Sequence, residues 1–235
     1  MKLGIMQPYL FPYIGYFQLI NCSDLFVIYD DVQYINRGWI NRNRLLNKGQ
    51  PFLFTLSLKK DSSTLNINER MFSDDFDNES QKLLKSLEYF YSKAPHFRET
   101  MNLIADIFQF KTPNISEFIS NQISKVCEHL DIKTPLLLSS KINRDLSLKG
   151  VDAIIDIVRV LRGDHYINPI GGTNLYSKNQ FDINGIQLSF LKTNNIRYPQ
   201  FNNDEFVSNL SIIDVLMFNS KSEISELLLK YELIK

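Results

Sequence analysis

The sequence predicts an α/β protein built on a parallel sheet with helices on both faces, and three observations carry that prediction. Short apolar strand patterns alternate with helical ones along most of the chain, the arrangement of a doubly covered parallel sheet. The first forty-four residues run strand, tight turn, helix, strand and polar loop. Between about Asn78 and Leu130 the pattern is helical throughout, broken at Pro95 and at Thr112-Pro113, which predicts a helical insertion around residues 75–130. With no internal repeat and no low-complexity linker, residues 1–235 read as a single domain.

Each element has a local reason. Gly4-Ile5-Met6 is a short apolar strand, and the two prolines of Gln7-Pro8-Tyr9-Leu10-Phe11-Pro12 hold off any helix until Tyr13. A helix follows through Ile20, and Leu25–Tyr29 is a second strand. Pro51–Leu58 alternates apolar and small polar residues, as a third strand would. Asn114, with Glu117 three residues on, has the layout of an N-cap and its N3 partner, opening a helix through Ile115, Phe118, Ile119, Ile123 and Val126. Thr134–Ser139 reads as a short buried strand from the middle of a parallel sheet. Val151, Ile154, Ile155, Val158 and Leu161 share one helical face, with Gly163 placed for the C′ position. His165–Ile170 is the next strand, stopped by Gly171-Gly172, and Ile186–Leu191 is the last, after the turn signal Asn184-Gly185. Ser211 and Asp214 form an N-cap signature flanked by Leu210 and Val215 as a hydrophobic staple, which gives Asp214 a structural part.

Composition excludes several function classes. The chain has 26 basic and 26 acidic residues, so bulk charge offers no footprint for nucleic acid or an anionic membrane. No apolar run approaches the roughly 20 residues of a membrane span. Pro8 interrupts the N-terminal apolar stretch before a signal peptide could form, so Cys22 and Cys127 read as reduced thiols in a cytoplasmic protein. His96, His129 and His165 are scattered and none has metal-ligand spacing, so no metal site is expected.

In parallel sheets ligands gather at the carboxyl ends of strands, where helix N-termini present free amides. Polar residues concentrate at those points. Gln7 follows the first strand, Tyr13 and Tyr16 begin the first helix, and Asp30, Asp31 and Gln33 follow the second strand. Trp39, Asn41, Arg42 and Asn43 crowd the next loop, Lys141 and Arg144 follow Thr134–Ser139, and Asn168, Gly171 and Gly172 close the following strand. Trp39 or Tyr16 offers a stacking plane, while Arg42, Lys141 and Arg144 offer cations for a diphosphate. Asn41 and Asn43 offer amide donors and acceptors to a ligand. Neighbours in an extended segment face opposite ways, so one of Asp30 and Asp31 would face a pocket, with Asp30 the candidate base. Gly171-Gly172 lacks the spacing of a phosphate loop or dinucleotide fingerprint. Gln7, Tyr13, Tyr16, Asp30, Arg42 and Gly171 are expected to converge in one cleft.

Two stretches carry a resemblance. The run Met6-Gln7-Pro8-Tyr9-Leu10-Phe11-Pro12-Tyr13-Ile14-Gly15-Tyr16-Phe17, with Tyr29-Asp30-Asp31-Val32-Gln33 and Trp39-Ile40-Asn41-Arg42-Asn43, resembles the opening of the WbqC-like family. Gly171-Gly172, Tyr198-Pro199-Gln200 and Asn209-Leu210-Ser211-Ile212-Ile213-Asp214 resemble that family's later blocks. Such proteins are encoded among genes for bacterial surface polysaccharides, notably lipopolysaccharide O-antigens. The resemblance implies work on an amino sugar, with transfer of a glycyl or other aminoacyl group a suggested activity. The layout of Tyr13-Ile14-Gly15-Tyr16 is also similar to the His-x-Gly-His signature of nucleotidyltransferase-like Rossmann proteins. Tyrosines replace both histidines, and with an unperturbed pKa of about 10 they carry no positive charge. That likeness implies a Rossmann-like sheet and nucleotide binding, without adenylyl-transfer chemistry.

The expectation is a cytoplasmic transferase that attaches an acyl or aminoacyl group to a nucleotide-linked amino sugar. Beyond a nucleotide or activated acyl donor, no cofactor is expected. Two alternatives stay open: a non-catalytic nucleotide-sugar-binding or scaffold protein of the same pathway, and an enzyme whose donor is an aminoacylated RNA or carrier.

Overall fold

Residues 1–201 and 205–235 are described by a computed structural model. Lys2–Met6 (β1) leads through a turn into Ile14–Cys22 (α1) and then Leu25–Ile28 (β2). Arg42–Asn47 (β3) and Gln50–Thr55 (β4) form a hairpin, followed by three helices, Phe76–Tyr91 (α2), Phe97–Gln109 (α3) and Ile115–His129 (α4). Leu136–Leu138 (β5), Gly150–Val160 (α5), His165–Pro169 (β6), Lys178–Asp182 (α6) and Gln187–Thr193 (β7) return the chain to the sheet. Ile212–Phe218 (α7), Lys221–Leu228 (α8) and Tyr231–Ile234 (β8) complete it.

The central sheet has six strands in the order β5-β2-β1-β6-β7-β8, all parallel except β8, which is antiparallel to β7. Numbered by appearance within the sheet, this is the order 3-2-1-4-5-6 of a Rossmann-like sheet. The direction of winding reverses between β1 and β6, and the crevice outside their carboxyl ends is where such sheets bind ligands. Side chains alternate as the pleat requires. Leu3, Ile5 and Val27 join the core beneath α5 and α6, whereas Phe26 and Ile28 join the larger core shared with α1, α4, α7 and α8.

Helices α2 to α4 are the expected insertion, and Asn114 caps α4 by accepting from the Glu117 amide at 3.1 Å. Glu117 turns away from the cap and accepts from the Thr112 hydroxyl at 2.6 Å.

Five details differ from expectation. Pro51–Leu58 does not enter the central sheet, because its first part pairs as β4 with β3 through a two-residue turn at Lys48-Gly49, both with positive φ (49° and 76°). The polar run Asn36–Arg44 reads as a loop in the sequence, yet its last three residues open the strand Arg42–Asn47. It is a strand because Arg42 and Arg44 face outward while Asn43 and Leu45 are buried. Next, β5 is an edge strand and only half-buried, with its second side unpaired. The edge strand β8 was not expected, as Tyr231–Ile234 is mostly exposed. Finally, at the end of α5 Arg162 (φ 57°) takes the left-handed position and Gly163 follows it, its amide reaching back to the Val158 carbonyl at 2.8 Å.

The turn after β1 is held from four directions. The Phe11 amide donates to Gln122 Oε1 of α4 (2.7 Å), and the Phe11 carbonyl accepts from Asn43 Nδ2 (2.7 Å) and Ser211 Oγ (2.9 Å). The Leu10 carbonyl accepts from Asn43 Nδ2 (2.9 Å), and the Leu10 amide donates to the Trp39 carbonyl (3.2 Å). The Pro12 carbonyl accepts from the Ile212 amide at 2.9 Å. Phe11 itself has φ 43°, a strained value for a bulky residue that this many partners can hold.

Candidate active-site cleft

A cleft runs along the carboxyl ends of β1, β6 and β7. One half, about 430 Å³, lies over the switch point and is lined by Gln7, Tyr9, Tyr13, Tyr29, Asn168 and Gly171 among others. The other half, about 410 Å³, extends toward the hairpin, where Trp39, Asn43, Arg44, Thr193 and Asn209 line it. Tyr9, Tyr13 and Gly171 belong to both halves. The first turn of α1 begins beside this point: Tyr13, which lines both halves, precedes it in extended geometry, and its carbonyl accepts from the Tyr16 amide at 3.0 Å.

Of the expected site residues, Gln7, Tyr13, Trp39, Asn43, Asn168, Gly171 and Gly172 line this cleft. Gln7 and Gly171 sit together because they end adjacent strands. Gly171 has nothing within 4 Å of where a Cβ would stand. Gly172 is different: a Cβ there would overlap Nδ2 of Asn168, whose Oδ1 accepts from the Tyr166 hydroxyl at 2.9 Å. Gly172 thus makes room for the amide that borders the cleft.

The remaining candidates are elsewhere, each for a physical reason. Tyr16 is fully buried in α1, and its hydroxyl donates to the Gln7 carbonyl at 3.1 Å, so it positions the end of β1 and offers no face to a ligand. Asp30 is 1% exposed. Its carboxylate accepts from Ser116 Oγ (3.0 Å), Ser139 Oγ (3.1 Å), the Ser140 amide (3.0 Å) and Ser140 Oγ (2.9 Å), which ties α4 and the exit of β5 to the exit of β2. Asp31 pairs with Arg144 at 2.6 Å in a buried ion pair, and the Arg144 guanidinium lies 5.9 Å from the Tyr29 ring. Neither aspartate lines the cleft, and Arg144 reaches it only through Tyr29. Lys141 is exposed at the end of β5, two strands from β1, too far along the sheet edge to line it. Asn41 is buried between the Tyr34 hydroxyl and the Leu56 carbonyl, both at 2.9 Å. Arg42 folds back on its own loop, with Nε donating to the Gly38 carbonyl at 2.8 Å and Nη2 to the Arg37 carbonyl. Gln33 is exposed and donates to the Ser63 carbonyl at 2.9 Å. Asn43, though it borders the cleft, spends its amide on the turn after β1.

Tyr9 and Arg44 also line the cleft, although the sequence points to Arg42 as the arginine of that loop and Arg44 only as its neighbour in the Trp39–Arg44 run. Arg44 alternates with buried Asn43 and Leu45 on β3, a signal visible only once that run is read as a strand. Its guanidinium lies 5.2 Å from the Trp39 ring and its Nη2 donates to the Asn209 carbonyl at 3.0 Å. It is the one charged side chain among the described residues lining either half. Burial raises the phenols of Tyr9 and Tyr13 above their ordinary value, keeping both neutral donors. Burial also pushes the thiols of Cys22 and Cys127 up to about 11 and about 12, so neither is a ready thiolate. No helix among the described residues is long and apolar enough to cross a membrane.

The sequence matches one family over residues 7–226, from the turn after β1 into α8. The chain belongs to the WbqC-like protein family. Within reach of the WbqC-like match lie both halves of the cleft, the insertion and the hairpin. A relative from Mycobacterium tuberculosis, the uncharacterized protein Rv1507c, is 27% identical over 225 residues, covering 94% of this chain and 95% of its own length. No solved structure matches the chain.

Proposed function

We propose that this WbqC-like protein is a transferase of surface-polysaccharide assembly in the cytoplasm, acting on a nucleotide-linked amino sugar held across the ends of β1 and β6. The observation that carries the reading is the cleft at the reversal of the sheet, where the neutral phenols of Tyr9 and Tyr13, the amides of Gln7 and Asn168, and Arg44 line adjoining halves. A guanidinium suits phosphate oxygens, and tyrosines with side-chain amides suit a sugar's hydroxyls. In the transfer, the sugar amine attacks an activated acyl carbonyl. A C–N bond forms, the bond from the carbonyl carbon to the donor's oxygen or sulfur breaks, and the amine's proton ends on the departing group.

A second reading is binding without chemistry, favoured by the absence of any carboxylate, imidazole or thiol among the described lining residues. Thermal shift of the full chain against nucleotide sugars tests the shared part, since a ligand that binds only the native state raises its melting temperature. Mass analysis of a nucleotide amino sugar incubated with aminoacyl donors separates the two: acylated sugar supports the transferase, and binding with no product supports the second reading. Failure of every nucleotide sugar to stabilise the chain would sink both.

A further inference from the structure

The two halves of the cleft differ in chemistry, and the difference runs across Gly171. The half over the switch point is walled by Gln7, Asn168 and the phenols of Tyr9, Tyr29, Tyr166 and Tyr176, all uncharged. Arg44 lies in the other half, with Trp39 and Asn209. No carboxylate pairs with Arg44 among the described residues, whereas Arg144, the other arginine near the sheet ends, is neutralised by Asp31. A partly desolvated guanidinium that keeps donors uncommitted is matched by an anion. Tyr9, Tyr13 and Gly171 join the halves, and the open space over Gly171 lets an elongated ligand lie in both.

Building on the nucleotide-sugar reading, we infer that the ligand has a fixed direction in the cleft: its diphosphate lies against Arg44 in the hairpin half, and its sugar crosses Gly171 into the tyrosine-lined half. Arg44 then selects for phosphate, and the neutral half selects for an uncharged or singly aminated sugar.

The test measures affinities of the full chain for inorganic pyrophosphate, UDP and UDP-glucosamine by calorimetry, in the wild type, Arg44→Gln, Arg44→Lys and Gly171→Val. Arg44→Gln should weaken all three about tenfold or more, the worth of a charge-assisted contact, with Arg44→Lys between it and the wild type. Gly171→Val, whose side chain enters open space, should weaken UDP-glucosamine about tenfold and leave pyrophosphate within about twofold. Unchanged pyrophosphate affinity in Arg44→Gln overturns the inference, as does equal weakening of pyrophosphate and UDP-glucosamine by Gly171→Val. If Arg44→Gln does not fold, the Gly171→Val comparison decides alone. Arg44-dependent binding of pyrophosphate without any nucleotide-sugar binding keeps the anion seat and removes the nucleotide-sugar reading. Nucleotide-sugar binding indifferent to Arg44 does the reverse, and a wild type that binds none of the three overturns both.

Discussion

The ring of Tyr13 occupies the space that any side chain on Gly15 would need. A Cβ on Gly15 would overlap Cε2 of Tyr13 and stand 2.7 Å from Thr193 Oγ1. The glycine at the start of α1 therefore serves a neighbouring phenol that lines both halves of the cleft. Gly15→Ala should cost about 1–3 kcal/mol of stability through overpacking and displace Tyr13. Denaturant unfolding and ligand titration on the same variant check this. An unchanged midpoint with unchanged affinity would show that the ring does not need the glycine.

Asp214 gives a pH prediction. It is fully buried and accepts from the hydroxyls of Tyr91 (2.8 Å) and Tyr198 (2.7 Å) and from Gln200 Nε2 (2.7 Å). Burial raises its pKa from 3.8 to about 6, and the three donors pull against that rise. Between these values the unfolded chain releases a proton that the folded chain keeps. This group's contribution is therefore fully present below the unfolded pKa, falls as pH rises through the folded one, and is level above it. The change is about 3 kcal/mol, from about 1.4 kcal/mol per pKa unit. Stability of the wild type minus that of Asp214→Asn, measured from about pH 3 to about pH 7, should decline by that amount, and a flat difference would reject the shift.

Asp214 also shows where sequence legibility stops. Its N-cap spacing was visible, and Ser211 does cap α7 by accepting from the Ile213 amide at 3.2 Å. What spacing could not show is that the carboxylate turns inward to a tyrosine 123 residues away. The parallel strands, the insertion and the meeting of Gln7 with Gly171 were legible because hydrophobic periodicity and strand-end position are local facts. Asp30 and Arg42 look like Tyr13 in sequence, being polar residues near strand ends. Serines from α4 and from beyond β5 surround Asp30, and its own loop carbonyls engage Arg42, all long-range or loop-specific contacts with no sequence period.

Asp30→Ala should cost about 3 kcal/mol or more, because it leaves the Ser140 amide and buried serine hydroxyls without their acceptor. We propose that residues 1–235 unfold as one unit, since Asp30 ties the insertion to the sheet. A single thermal transition by both far-UV and aromatic signals is expected in the wild type. Two separate transitions would show the insertion to be independent.

Arg42→Lys should lower stability by about 1 kcal/mol, through loss of its loop hydrogen bonds, and leave affinity for any cleft ligand within about twofold. Titration beside a melting curve distinguishes this from a ligand clamp, which would show the opposite pattern. A tenfold loss of affinity at constant melting temperature would return Arg42 to the site.

The turn at Leu10, Phe11 and Pro12, anchored by Asn43, Gln122, Ser211 and Ile212, sets how the cleft meets a ligand. Its ordering entropy is spent once, in folding, and is not charged again at each encounter. The wall formed by Tyr9 and Tyr13 is thus pre-organised, and association needs no closure step there. If the cleft binds as proposed, recognition would work by rejection: a ligand of the wrong outline would meet a surface that does not yield, and would leave quickly.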